Sequence, residues 1–251
     1  MKNKILLLQE LSNNAWPARK TTLLNGWLIR VSEGITNRAN SVLPLCYYGT
    51  DVAKDILEVE NIYLRNRLPI IFQIPDYCEP VNLSDKLIEN GYFSRDETIV
   101  MDSRVSDMIS HEKNIDFVYK IDEDISLRWF EFLKINNNMS LERFEGIRKI
   151  MDRISSKKIS CSLEKKGTVI CQMLGVIERR HLGLYNMITH PNFRRKGLAQ
   201  SLLTELIFWA KQNEISKMYL QVEKENHSAI KLYTKAGFKE IYRYKYLEKC
   251  I

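Results

Sequence analysis

The chain has no metal-ligand spacing, no disulfide framework and no membrane-length apolar run. Its five cysteines, Cys46, Cys78, Cys161, Cys171 and Cys250, are odd in number and contain no Cys-x-x-Cys. They therefore build neither a paired scaffold nor a zinc-like site. The four histidines, His111, His181, His190 and His227, include no pair at helical ligand spacing, and no metal is expected. No apolar segment approaches the roughly 20 residues of a bilayer span, so no membrane partner is expected. The opening Met1–Glu10 is basic but places only Ile5, Leu6, Leu7 and Leu8 before Gln9 and Glu10. That is too short for a secretory signal core, and a cytoplasmic location is the expectation. Gly-x-x-x-x-Gly-Lys-Ser/Thr and Gly-x-Gly-x-x-Gly are both missing, which argues against a P-loop nucleotidase and a dinucleotide enzyme.

What is there suits a soluble protein with a real core: 45% of residues are hydrophobic and 27% charged. The 251 residues fit one large α/β unit or two domains of roughly 125 residues. The net charge of +7 is divided unevenly. Residues 1–125 hold 14 Lys/Arg against 19 Asp/Glu, and residues 126–251 hold 24 against 12. Either the second half binds an anion or it carries Lys-rich solvated faces.

Hydrophobic spacing and turn residues predict the elements. Leu6–Asn13 reads as a helix ended by Trp16-Pro17. Gly26–Val31 and Ala39–Leu45 read as strands around a Gly34–Asn37 turn. Asp51 N-caps a helix to about Asn66, with Ile56, Val59 and Tyr63 on one face. A strand over Leu68–Ile74, a helix over Leu83–Glu89 stopped by Asn90-Gly91, and a strand over Tyr92–Met101 follow. Residues 103–125 read as a polar stretch around Phe117-Val118-Tyr119, with a domain join near residue 114. In the second half, helices are expected at 125–136 and 140–154, and strands at Lys158–Leu163, Thr168–Ile177 and Leu182–Thr189. A helix from Gly197 to Gln212, a strand over Lys217–Val222, a helix from Asn226 to Ala236 and a strand over Phe238–Leu247 complete an α/β, mixed-sheet plan.

A shift of 146 residues lays Gly91-Tyr92 over Gly237-Phe238 and Ile56-Leu57 over Leu202-Leu203. Each half then reads helix, strand, helix, Gly-aromatic, strand, which favours an internal duplication over chance similarity of two α/β halves.

The chemistry is concentrated in Leu184–Ala199, where a strand runs through Thr189-His190-Pro191 into Arg194-Arg195-Lys196-Gly197 and a helix. A helix N-terminus leaves about four N–H groups unpaired and carries positive potential. Gly197 and Ala199 leave room for a bulky phosphate at those amides, and Arg194, Arg195 and Lys196 surround it with positive charge. An ordinary helix start with a solvated basic triplet is the other reading. Three exposed cations there would each oppose the macrodipole by roughly 0.3–1 kcal/mol, so an arriving anion accounts for them better.

Arg194-x-x-Gly197-x-Ala199 after the strand resembles the acyl-coenzyme A signature of the GNAT superfamily of N-acetyltransferases. A second stretch, Leu220–Phe238, is similar to the next part of that fold, with Asn226, Ala229, Leu232-Tyr233 and Gly237-Phe238 in matching places. The resemblance covers about residues 125–250. The first half, through Trp16-Pro17-Ala18, Gly26-Trp27 and Arg38-Ala39-Asn40-Ser41, resembles the N-terminal part of two-domain GNAT proteins.

The resemblance implies a tandem GNAT-like fold, residues 1–113 forming a degenerate domain and 114–251 an intact acyl-CoA N-acyltransferase domain. It implies that Met187, Ile188 and Thr189 hold the pantetheine arm along their backbone and that Arg194, Arg195, Lys196, Gly197, Leu198 and Ala199 cradle the pyrophosphate. Asn226 would touch the arm, and Tyr233 would protonate the leaving thiolate. Without the motif, Tyr233 reads as a half-buried helix aromatic beside Leu232. Glu223 is the first candidate for a general base, a solvated residue being the equal alternative. Asn186 and Thr189 are at most water-orienting, and His190 reads as a surface turn residue. The donor is acetyl-CoA, the acceptor a primary amine of unread identity, and transfer is direct. A coenzyme-binding scaffold without catalysis is the alternative. No DNA- or RNA-binding motif supports a nucleic-acid partner, and the oligomeric state is open, with Trp27, Trp129 and Trp209 suited to core or interface. In the first half, the shift sets Asp51 where Gly197 stands, an anion that would repel pyrophosphate. Arg30, Arg38 and Asn40 are polar candidates for an acceptor wall, with turn and strand-edge roles the favoured reading for each.

Overall fold

The computed structural model describes residues 1–109 and 116–250. The join placed near residue 114 lies outside these residues. Two compact units emerge, the first made of Met1–Ile99, Lys149–Arg153 and Tyr242–Ile251, the second of Val100–Arg148 and Ile154–Ile241.

The first unit is built on a run of neighbouring strands whose burial rises from an exposed edge to a fully covered centre. β1 (Lys20–Leu24), β2 (Trp27–Val31), β3 (Val42–Pro44), β4 (Ile70–Pro75) and β11 (Lys239–Lys249) lie in that order. β4 is buried at all six positions, the reason its sequence is apolar everywhere except Gln73 rather than alternating. It pairs parallel to β3 at Val42↔Phe72 and antiparallel to β11 from Tyr244↔Pro75 to Lys249↔Ile70. Helix α2 (Val52–Arg65) begins where expected, the Asp51 carboxylate accepting from the Lys54 N–H at 3.1 Å. Its Ile56, Val59 and Tyr63 join Trp27 and Phe72 in one buried cluster. α1 (Lys2–Asn14) starts four residues earlier than expected, and α3 (Leu83–Glu89) matches its expected span.

Arg30 is 1% exposed. Its Nε donates to the Ser41 carbonyl at 3.0 Å, and Nη2 donates to Ser41 Oγ and Gln73 Oε1 at 2.7 and 2.8 Å. The guanidinium therefore ties β2, β4 and the approach to β3 together from inside. Asn40 is likewise consumed locally: Oδ1 accepts from the N–H groups of Ser32 and Gly34, and Nδ2 donates to the Thr36 carbonyl. That loop, with a 3-10 turn at Asn37–Ala39, shortens the expected 39–45 strand to Val42–Pro44. Arg38 lies over the Trp16 ring at 5.9 Å. Arg30 and Asn40 thus hold strands and turn, the structural alternative to a cleft wall.

The second unit orders the part of β5 (Phe93–Arg104) from Val100 onward, β10 (Lys217–Glu223), β9 (His181–Thr189), β8 (Thr168–Glu178), β7 (Lys157–Lys165) and β6 (Val118–Asp122). β6 to β9 form an antiparallel meander. The connection from β9 to its parallel neighbour β10 runs through α6 (Leu198–Gln212), a crossover of the kind parallel pairing requires. α6 buries Leu202, Leu203, Leu206, Ile207 and Ala210. Helices α4 (Leu127–Asn136) and α5 (Leu141–Asp152) precede the meander, and α7 (His227–Lys235) follows β10.

The repeat is visible bond by bond. Tyr92 N–H donates to the Leu87 carbonyl and Gly91 N–H to Ile88; 146 residues on, Phe238 N–H donates to Tyr233 and Gly237 N–H to Thr234. Both glycines turn the chain with positive φ, +84° and +99°. The two halves terminate their third element with the same hydrogen bonds.

Truncating Arg30 to Ala leaves the Gln73 amide oxygen and the Ser41 groups without their donor and opens a cavity. The Arg30→Ala chain should lose about 3 kcal/mol in urea unfolding and Arg30→Met less than about half of that. An alanine variant within about 1 kcal/mol of the parent would contradict this role.

Candidate active site

β9 pairs with β8 as far as Cys171↔Thr189, but its register with β10 runs only from His181↔Lys217 to Leu184↔Leu220. From Tyr185 to Thr189, one edge of β9 is left beyond the β10 ladder. The strand is also bulged. Its pairing passes from Leu174↔Tyr185 to Gln172↔Ile188, so Asn186 and Met187 together oppose Met173, and Asn186 takes φ +51°. A bulge re-aims main-chain groups and ends regular pairing. The Asn186 Nδ2 is buried without a hydrogen-bond partner.

The strand leads into a built turn. His190 N–H donates to the Ile170 carbonyl at 2.9 Å, while its Nδ1 accepts from Asn192 N–H at 3.2 Å. This is the turn role expected of it. Arg194 Nε donates back to the Thr189 carbonyl at 3.2 Å, and Lys196 Nζ lies 5.2 Å from the Phe193 ring centre. Arg195 and Gly197 both take positive φ, +59° and +74°.

Gly197 is the N-cap of α6, and no side chain caps that helix. The first intrahelical bond is Ser201 N–H to the Gly197 carbonyl, so the N–H groups of Leu198, Ala199 and Gln200 precede the helical ladder. A Cβ on Gly197 would meet nothing within 4 Å. Glycine is present here for its backbone angle and leaves open space in front of the amides. Arg194, Arg195 and Lys196 are exposed around it, while Leu198 is buried and anchors the turn.

α7 brings Tyr233 to the same strand. The side chain is 8% exposed, packs edge-to-face on Phe238 at 5.7 Å, and its hydroxyl lies 3.7 Å from Met187 Sδ. Burial, and next the neighbouring Cys171, push that hydroxyl well above the usual phenol range. Asn226 N-caps α7, its Oδ1 accepting from Ala229 N–H at 3.1 Å and from Ser228 Oγ at 3.0 Å. Glu223 closes β10 with an exposed side chain, and its carbonyl accepts from Asn226 N–H at 2.9 Å. The structure thus joins Tyr233 to Met187, Arg194 to Thr189 and Glu223 to Asn226; no hydrogen bond links the Glu223 carboxylate to Tyr233 or β9 among the described residues.

Two residues beside the bulge were not singled out from sequence. Cys171 Sγ lies 3.2 Å from Thr189 Oγ1, and burial pushes its thiol up to about 11. Gln172 is 0% exposed, donates to the Trp129 carbonyl at 3.0 Å, and keeps an unpartnered Oε1. A glutamine inside the apolar run Val169–Leu174 was the available signal.

Among the described residues no three metal-ligating side chains cluster, and no helix is long and apolar enough to cross a membrane.

The family model described as "Probable histone acetyltransferase Rv0428c C-terminal" matches residues 3–247. An uncharacterized N-acetyltransferase, YobR of Bacillus subtilis, is 31% identical over 244 residues, covering 95% of this chain and 96% of the relative. A GCN5-related N-acetyltransferase from Kribbella flavida has a similar fold, with TM-score 0.74 at 13% identity over 99% of this chain and 95% of that one. A tandem GNAT protein from the clavulanic acid biosynthesis pathway gives TM-score 0.64 at 7% identity, over 78% and 69%. With a family model spanning nearly its whole length and an N-acetyltransferase relative matching end to end, the chain belongs to the Rv0428c C-terminal acetyltransferase family, N-acetyltransferases of the GNAT superfamily.

Proposed function

We propose that the chain transfers the acetyl group of acetyl-CoA directly to a primary amine in the cytoplasm. The observation that carries this reading is the meeting of the Tyr233 hydroxyl with Met187 on the stretch of β9 that outruns β10. The same stretch leads directly to the uncapped start of α6.

The residues fit the coenzyme. The open space at Gly197 suits a diphosphate against the first-turn amides of α6, with Arg194, Arg195 and Lys196 neutralising it and Leu198 and Ala199 shaping the helix start. The main chain of Met187, Ile188 and Thr189 would hold the pantetheine arm, and Asn226 would flank it. Bound acetyl-CoA supplies the thioester. The chain supplies proton management: Tyr233, held protonated by burial, donates to the departing thiolate, and the exposed Glu223 carboxylate receives the amine proton directly or through water. The attacking nitrogen forms the new C–N bond as the C–S bond breaks, with no acyl-enzyme required.

The first half does not offer this cradle. The counterpart of Gly197 is Asp51, whose carboxylate already caps α2 through Lys54 N–H. We read residues 1–113 as a degenerate GNAT-like domain that does not bind coenzyme A. The family description speaks of histones and the relatives' names of N-acetyl transfer, so a peptide amine belongs in any acceptor screen beside small amines.

Gly197→Asn tests the cradle, because asparagine tolerates the left-handed angle while filling the space. Calorimetry should show one coenzyme A per parent chain and at least about tenfold weaker binding in the variant, roughly 1.4 kcal/mol. Affinity unchanged in a folded variant contradicts the site.

Tyr233→Phe should lower kcat by about 10²–10⁴-fold while coenzyme binding stays within about threefold. A donor must be protonated, and a raised hydroxyl stays so as pH rises through 9. The parent's kcat/KM should thus show no alkaline fall assignable to Tyr233 below about pH 10. A limb near pH 9 that disappears in the variant contradicts that role. Tight coenzyme binding with no transfer to any amine in the parent would instead indicate the non-catalytic scaffold.

A further inference from the structure

The first unit contains a cavity of about 360 Å³ that the acetyl-transfer reading does not use. Its charged and polar lining comes from Asp76, Cys78, Ser84, Glu97, Arg243 and Lys245. The volume falls at the lower end of small-molecule sites. Under the 146-residue shift it lies at the counterpart of the end of β10 and the start of α7. Ile74 and Tyr77 stand where the second unit has Leu220 and Glu223.

The β4–β11 register arranges the charges. Lys245 opposes Ile74. Just past the end of β4, Asp76 N–H donates to the Arg243 carbonyl at 2.9 Å and Arg243 N–H donates to Asp76 Oδ2 at 2.8 Å. Asp76 and Lys245 are then diagonal neighbours on one face, roughly 7–8 Å apart. Arg243 is not an open cation, because its Nη1 pairs with Glu97 Oε1 at 3.0 Å. The Lys245 side chain has neither an ion pair nor a hydrogen bond among the described residues. The thiol beside it gives no counter-charge: burial pushes Cys78 up to about 11, so it is neutral near pH 7. Among the described residues the Asp76 carboxylate is engaged by one main-chain N–H, on one of its two oxygens.

The cavity therefore presents one uncommitted cation and one carboxylate, diagonally spaced, with the Ser84 hydroxyl and the apolar Ile74 and Val81 around them. A polyphosphate would meet Asp76 as a repelling charge, a simple amine would leave Lys245 unmatched, and a simple carboxylate would leave Asp76 unmatched. We propose that this cavity binds a small zwitterion of amino-acid type, its carboxylate on Lys245 and its ammonium on Asp76, at a site separate from the acetyl-transfer cleft.

The test uses the full-length chain. Calorimetry against the standard amino acids should find at least one that binds in the submillimolar range. Its decarboxylated amine and its N-acetyl derivative should each bind at least about tenfold more weakly. Lys245→Gln and Asp76→Asn should each cost the amino acid at least about tenfold, with coenzyme A affinity held within about twofold. Val81→Trp, at an exposed position of the lining, should block the cavity without altering its charges, which keeps the test decisive if a charge variant fails to fold. Binding of none of the amino acids, equal binding of the amine, or binding that survives Val81→Trp or a folded Lys245→Gln would overturn the proposal.

Discussion

Everything in the second unit turns on two neighbouring strands that begin paired and do not stay so. β9 and β10 share a parallel ladder only to Leu184↔Leu220, although both strands continue. Backbone N–H and C=O groups require partners, and an exposed strand edge invites another extended chain to supply them. The bulge at Asn186–Met187 re-aims that edge, and α7 sets the Tyr233 hydroxyl against Met187. One departure from regular pairing thus produces an open backbone, a buried tyrosine hydroxyl beside it and, a few residues on, a helix start without a cap.

The duplicated halves show how the same framework diverges through a few residues. Their third elements end in matching hydrogen bonds at Tyr92 and Phe238. At the helix start, Asp51 caps one helix with its own carboxylate, whereas Gly197 leaves the other open in a left-handed turn. A side chain that stabilises a helix by capping also occupies the place a phosphate would need, so stability and anion binding are alternatives at that position. The first half has the cap, and its interior holds the buried Arg30 network.

Much of this was legible in the sequence because its signals are local. The α2 stripe with its Asp51 cap, the α3 span and the Arg194–Ala199 turn follow from spacing and from residues with special backbone preferences. β1 and β6 were not read as strands. They end the two strand orders, β1 is exposed at four of its five positions and β6 alternates without full burial, so neither carries the apolar pattern of a covered strand. The strand expected at 39–45 was shortened by Asn40, whose three hydrogen bonds hold a loop that propensity does not reveal. The Tyr233–Met187 contact, Gln172 under α4 and the Asp76–Lys245 diagonal depend on register between distant segments, which one sequence does not print.

The central claim is that the unpaired stretch of β9 and the bare start of α6 form one continuous acyl-CoA site. A crystal structure of the chain with coenzyme A tests it most directly. The account predicts one coenzyme per chain, its arm hydrogen-bonded to the backbone of Met187–Thr189 and its diphosphate on the amides from Gly197 onward. A coenzyme seated at the Asp51 helix start, or one whose arm runs clear of β9, would contradict it.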